Sequence, residues 1–208
     1  MASAVSRVKG ARRLGVRPGN WLTRDRAEQL LALPDPSTPK GKRDRALLAL
    51  LIGAGLRREE RVGLRIEEMQ QRDGRWCVVD LPGKGSRVRT VPIPAWAKAA
   101  IDAWLQAAGF LSGPLLRPIN KSGRIIAQGM SAQAIYDSVK GYRTRLGTSI
   151  APHDLRRTFA KLAHKGNAPL EQIQLSLGHA SIQTTERYLG VEQNLTDVPC
   201  DHLGLKIW

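Results

Sequence analysis

Cysteine is scarce in this sequence: Cys77 and Cys200 are the only two in 208 residues, and neither stands in a paired, metal-type spacing. That leaves a reducing compartment, the cytoplasm, as the simplest setting. The four histidines, at 153, 164, 179 and 202, form no HExxH or CxxC pattern, so neither a metal nor a cofactor is expected. No apolar run approaches the roughly 20 residues needed to cross a bilayer, and no membrane partner is expected. The first twenty residues, MASAVSRVKGARRLGVRPGN, contain no apolar h-region and do not form a secretory signal. Acidic residues are few as well: 18 Asp and Glu stand against 33 Lys and Arg, a net charge of +15. Such an excess favours a polyanionic partner, with nucleic acid ahead of a membrane surface.

What is present suffices for one full core. Residues 1–20 are basic and poorly patterned, and read as a linker or arm. Thr23 is suited to cap a helix over about 24–33, which PDPSTP (34–39) then breaks. A second helix is expected over about 41–54, with Leu47, Leu48, Leu50, Leu51 and Ile52 dense enough to be core and Gly53-Ala54-Gly55 ending it. A short helix from Arg57 to about Val62 follows. From Ile66 to Pro94 the character changes. Trp76 to Val79 and Val88 to Ile93 have strand propensities and are separated by PGKGS (82–86), which predicts a β-hairpin with Lys84 near its tip.

Ala95–Ala108 returns to helix, on an apolar stripe of Trp96, Ala100, Ile101, Trp104 and Leu105. Residues 111–130 are loop-like. Further helices are predicted over about 131–146, 153–164, 170–177 and 182–188, and no internal repeat is evident. The tail 191–208 ends in Leu203, Leu205, Ile207 and Trp208, an apolar end that needs a surface, either on its own domain or on a neighbouring subunit. The fold class is thus mainly α with a small antiparallel β-hairpin or sheet.

The chemistry concentrates in APHDLRRTFAKLAHKGNAPLEQIQLSLGHASIQTTERYLG (151–190). His153 and Arg156 share a helix face at i and i+3, whereas Arg157 should point elsewhere. Asp154 is suited to cap that helix or to orient a neighbouring base. His179 follows a helix-ending glycine, and Tyr188 closes a short helix. A phenol with a reference pKa of about 10 is a poor nucleophile at pH 7 unless neighbouring cations and a base activate it. Arg57, in GLRREE, presents a guanidinium at the edge of the core, with Arg65 in a second GLR as its competitor. Lys84, between glycines in GKGSRVR, is suited either to touch a phosphate backbone or to act as a general acid on a hairpin tip.

Taken together and in this order, GLRREE, GKGSRVR, HDLRRTFA and LGHASIQTTERY resemble the catalytic domain of tyrosine recombinases, the integrase family of phage and Xer-type enzymes, over about Trp21 to Gly190. The resemblance implies the fold of that catalytic domain and a site of Arg57, Lys84, His153, Arg156, His179 and Tyr188, with Tyr188 as the nucleophile and Glu60 supporting the first arginine. It implies cleavage and rejoining of double-stranded DNA through a 3′-phosphotyrosyl link, without cofactor or metal, in a tetrameric synapse assembled on DNA. Two other readings stand beside it: a non-catalytic DNA-binding module, and a type IB topoisomerase-like strand relaxation. The sequence departs from the family pattern at Arg58 and Arg61, where apolar or small residues are usual. It also departs at its front, where the core-binding half of the family's DNA clamp is expected and residues 1–20 leave no room for it.

Overall fold

The computed structural model describes residues 20–57, 60, 62–82 and 88–190. The basic arm, the tail from 191 and the hairpin tip with Lys84 lie outside the described residues, as do Arg58 and Arg61 and thus part of the short helix expected over 57–62. Helices α1 (Arg24–Ala32) and α2 (Pro39–Gly53) lead to a 3-10 turn (Ile66–Glu68) and a sheet of β1 (Met69–Arg72), β2 (Arg75–Pro82) and β3 (Val88–Pro92). Helices α3 (Ala95–Ala108), α4 (Ala132–Leu146), α5 (Pro152–Lys165), α6 (Leu170–Leu177) and α7 (Ile182–Leu189) complete the domain.

The expected mainly α class is what the structure shows, and each helix lies within two residues of its expected bounds. The local causes are legible. Thr23, Thr38, Ser131 and Ser181 accept backbone N–H bonds at four helix starts. At a fifth, Ala151 N–H donates to the Asp154 carboxylate at 2.9 Å, so Asp154 acts as a cap.

Helix α2 is the structural centre. Its residues from Ala46 to Leu51 are fully buried, against α1, α3, α4 and α5. A helix apolar on all sides has no solvent face to offer, and its position is fixed by its neighbours. At its start a buried polar knot ties it to α4: Asp44 accepts from Arg43 Nε at 2.8 Å, Lys40 Nζ at 3.1 Å and the Tyr142 hydroxyl at 2.8 Å. A second, smaller core of Ala160, Ile173, Leu177 and Leu189 joins α5, α6 and α7.

The sheet is larger than the expected hairpin. Strand β1, MQQR, pairs antiparallel with β2 in the register Met69↔Val78 to Arg72↔Arg75. It lacks the apolar alternation of a strand, but the turn after it is Asp73-Gly74 with both φ positive, a strong tight-hairpin signal. Between β2 and β3 the register shifts from Val78↔Val91 to Leu81↔Arg89. Asp80, at φ 55°, takes up the extra residue. Such a bulge re-aims side chains. Beyond it Val88 is exposed, whereas Arg89 is nine-tenths buried.

Asp44→Ala strips a buried arginine of its carboxylate, a loss typically costing about 3–5 kcal/mol. Urea unfolding should show a fall of that size, with the denaturant slope unchanged.

Candidate active site

Two glycines set the geometry of the site. Gly55 ends α2 at φ +57°, and a Cβ there would stand 2.6 Å from Phe159 Cδ1, so the chain can reach Leu56 and Arg57 only through glycine. Gly178 ends α6 at φ +59°, where a Cβ would stand 3.0 Å from Arg89 Cδ, and it hands the chain to His179.

Between these turns three arginines take hold of one helix end. Arg57 Nη2 donates to the carbonyls of Leu177 and Gly178, each at 3.0 Å. Arg156, 2% exposed, donates through Nη2 to the same Leu177 carbonyl and through Nη1 to the Gly55 carbonyl at 2.6 Å. Arg89 Nε donates to the Ser176 carbonyl at 3.1 Å. The last carbonyls of a helix lack intrahelical partners and carry partial negative charge, so cations cap them well.

Glu60 neutralises part of this charge. Its Oε1 accepts from Arg57 Nη1 at 2.7 Å and its Oε2 from the Arg57 backbone N–H at 2.6 Å. Arg89 donates to both oxygens at 2.9 Å. Burial acts to raise the carboxyl, but the bonds from Arg89 and Arg57 outweigh it and hold its pKa below the usual carboxylate range. Among the described residues Arg156 has no carboxylate partner of this kind. Burial first, and then the Arg57 charge, lowers its pKa to about 10, which leaves it charged at neutral pH.

A cleft of about 390 Å³ opens over these groups, lined by Leu56, Arg57, Tyr136, Ala151, Pro152, His153, Arg156, His179 and Tyr188. Five of the six predicted reactive residues therefore share one cavity. The sixth, Lys84, lies outside the described residues, and Glu60 sits behind Arg57, bonded to its Nη1. Arg65 belongs elsewhere, bonded to Glu67 and Glu68 at the 3-10 turn.

The Tyr188 ring meets two imidazoles edge-on, His153 at 5.8 Å and His179 at 5.3 Å between centroids. Its hydroxyl is shielded from solvent and makes no well-aligned hydrogen bond. Burial raises its pKa, while the Arg156 and Arg157 charges pull the other way. Arg157 does not line the cleft, but its guanidinium packs on the Tyr188 ring at 5.1 Å, so the expectation that it points elsewhere is only half met. Tyr136 and Arg89 are the residues that sequence reasoning missed. Arg89 stands inside the quoted GKGSRVR, whereas nothing local singles out Tyr136.

His179 is held by a 3.0 Å bond between Nδ1 and the buried Thr185 hydroxyl. The ring is neutral at physiological pH: burial first, and then Arg156, Arg57, Arg89 and His153, lower its pKa to about 4. A hydroxyl donating to Nδ1 suits the tautomer whose remaining proton is on Nε2, a donor that needs no extra charge.

Arginines thus collect on a helix end, flanked by imidazoles and a shielded phenol, at one wall of the cleft. The chain belongs to the phage integrase family, whose model matches residues 20–194. It is 34% identical over 177 residues to the tyrosine recombinase XerD of Shewanella oneidensis, covering 82% of this chain and 56% of that one. It is 34% identical over 201 residues to the tyrosine recombinase XerC of Pseudomonas syringae, covering 95% and 63%. The chain thus spans less than two thirds of the length of these relatives. The fold is also that of the XerA recombinase, with a TM-score of 0.67 at 22% identity over 84% of this chain and 61% of that one. XerH bound to its difH substrate gives the same score and identity over 86% and 52%.

An NMR titration of His179 should show a midpoint near 4 rather than at an ordinary imidazole value. Because the unfolded ring binds a proton near pH 6.5 and the folded one does not, this residue's contribution to stability is complete above about pH 6.5. It should be lost as pH falls towards 4. Urea unfolding of the protein and of His179→Gln should show that difference narrowing across the window, and an unchanged difference would contradict it.

Proposed function

We propose that this chain carries the DNA-cleaving and rejoining part of a site-specific tyrosine recombinase. The observation behind the proposal is the single cleft that gathers Arg57, His153, Arg156, His179 and Tyr188. In this reading the cleft takes a scissile phosphodiester of double-stranded DNA. The Tyr188 oxygen attacks phosphorus, a 3′-phosphotyrosyl bond forms, and the bond to the 5′ oxygen breaks. Burial keeps Tyr188 a phenol at neutral pH, so its proton must leave during attack, and His153 is the neighbouring base.

Arg57 and Arg156 face the non-bridging oxygens, where a guanidinium fork suits the geometry better than an ammonium. Neutral His179 adds one further donor. Lys84, on the family resemblance alone, returns a proton to the leaving 5′ oxygen. Rejoining is the reverse attack by a 5′-hydroxyl. Because the covalent link conserves the bond energy, neither ATP nor a metal is required.

The net charge of +15 supports a DNA partner, and a relative of the same fold, XerH, is bound to its difH substrate. We place the working protein on DNA in the cytoplasm, in an assembly of four copies. Among the described residues no helix is long and apolar enough to cross a membrane.

A nicked duplex that loses its 5′ fragment after cleavage should trap a covalent protein–DNA adduct. Tyr188→Phe should form none, and Arg57→Ala or Arg156→Ala should form it about a hundredfold more slowly or worse, since a positioned donor is typically worth about 3 kcal/mol. No adduct from the intact chain, or equal adduct from Tyr188→Phe, would overturn the assignment. Salt-sensitive binding without any cleavage would instead indicate a DNA-binding module, and relaxation of supercoiled DNA without site preference a topoisomerase-like enzyme. Deleting 203–208 should reduce self-association on DNA if the apolar tail docks on a neighbouring copy. Equal assembly would assign the tail to its own domain.

A further inference from the structure

We propose that Arg89 is a positioning residue for this phosphate site, acting on Arg57 through Glu60; the inference rests on the cleavage reading above. Arg89 does not line the cleft and has no surface to offer a substrate: its side chain is 10% exposed. Its donors are directed inward. Nη1 and Nη2 each reach one oxygen of Glu60 at 2.9 Å, and Nε reaches the Ser176 carbonyl at 3.1 Å. The parallel pair is the fork geometry that fixes both partners in plane as well as in distance.

Glu60 is thereby held between two guanidinium groups. On its other side it grips Arg57 twice, through the backbone N–H and through Nη1. With Nη1 on Glu60 and Nη2 on the Leu177 and Gly178 carbonyls, the Arg57 guanidinium stands at the cleft wall in one orientation, but only while the carboxylate itself cannot swing. Arg89 prevents the swing, and the Ser176 bond prevents Arg89 from following it. The three groups come from β3, from the segment after α2 and from the end of α6, so the link joins elements distant in sequence. Lysine cannot replace this fork, because an ammonium offers one point of charge where the site uses two parallel donors and a third at Nε.

Single-turnover cleavage of the nicked duplex at saturating protein tests the link. Arg89→Ala should slow cleavage about ten- to a hundredfold while changing DNA affinity by no more than about threefold, because the lost interaction matters to the reacting phosphate. Arg89→Lys should recover only part of the rate. The deciding measurement is the double-mutant cycle. In an Arg57→Ala background, adding Arg89→Ala should cost less than about twofold further, since the residue being positioned is gone.

Glu60→Gln reads the same link from its other side. It should show the same loss alone and the same silence without Arg57, which keeps the test valid if Arg89→Ala does not fold. Full multiplication of the two losses would overturn the proposal, as would wild-type cleavage by Arg89→Ala, or rate, affinity and melting temperature falling together in both Arg89→Ala and Glu60→Gln. An intact chain that forms no adduct would remove the reaction, and the role of Arg89 with it.

Discussion

Three guanidinium groups converge on the final carbonyls of one short helix. Arg57, Arg89 and Arg156 come from the loop after α2, from β3 and from α5, and all donate to the Ser176–Gly178 segment. Their mutual repulsion would drive them apart in water. Here the helix end and the Glu60 carboxylate supply enough negative charge to hold them together. The arginine cluster is thus assembled around a partial charge that belongs to the backbone. Helix α6 is short and sharply ended, and its last turn and the glycine that follows are where the three arginines meet it.

The same convergence sets the protonation states around it. Burial first, and then the cluster of fixed cations, keeps His179 neutral, and the same cations work against burial at Tyr188. The imidazole therefore contributes a hydrogen-bond donor without adding to the repulsion. Burial keeps the Tyr188 phenol protonated at neutral pH. Both effects follow from placing titratable groups at different depths beside one set of arginines.

Much of this was legible in the sequence because its signals are local. Helix ends marked by Thr23, Thr38 and Ser131, and the i, i+3 spacing of His153 and Arg156, need only neighbouring residues to be read. The Gly-Leu-Arg and Leu-Gly-His turns likewise announce where a side chain is presented. What was hidden depends on distant partners. Strand β1 is polar and pairs because its neighbour is apolar and a tight Asp-Gly turn returns the chain. The inward aim of Arg89 depends on a register shift at Asp80, which no periodicity count reveals. Tyr136 reaches the cleft from α4, a helix that the Asp44 knot ties to the start of α2. Arg157 was assigned by helix spacing to a different face, yet α7 folds back and brings the Tyr188 ring to it.

The division of the core into two clusters has a consequence of its own. Helix α2 and the turn that carries Arg57 belong to the large cluster, whereas the packing around Ile173, Leu177 and Leu189, together with the Tyr188 ring, forms the small one. Regions with few buried apolar contacts open at lower free energy than the whole domain. Loosening of α6 and α7 would move the histidine and the phenol together and would release the Leu177 and Gly178 carbonyls from Arg57. His179 and Tyr188 thus share one local unit of stability, separate from the core that carries the turn to Arg57.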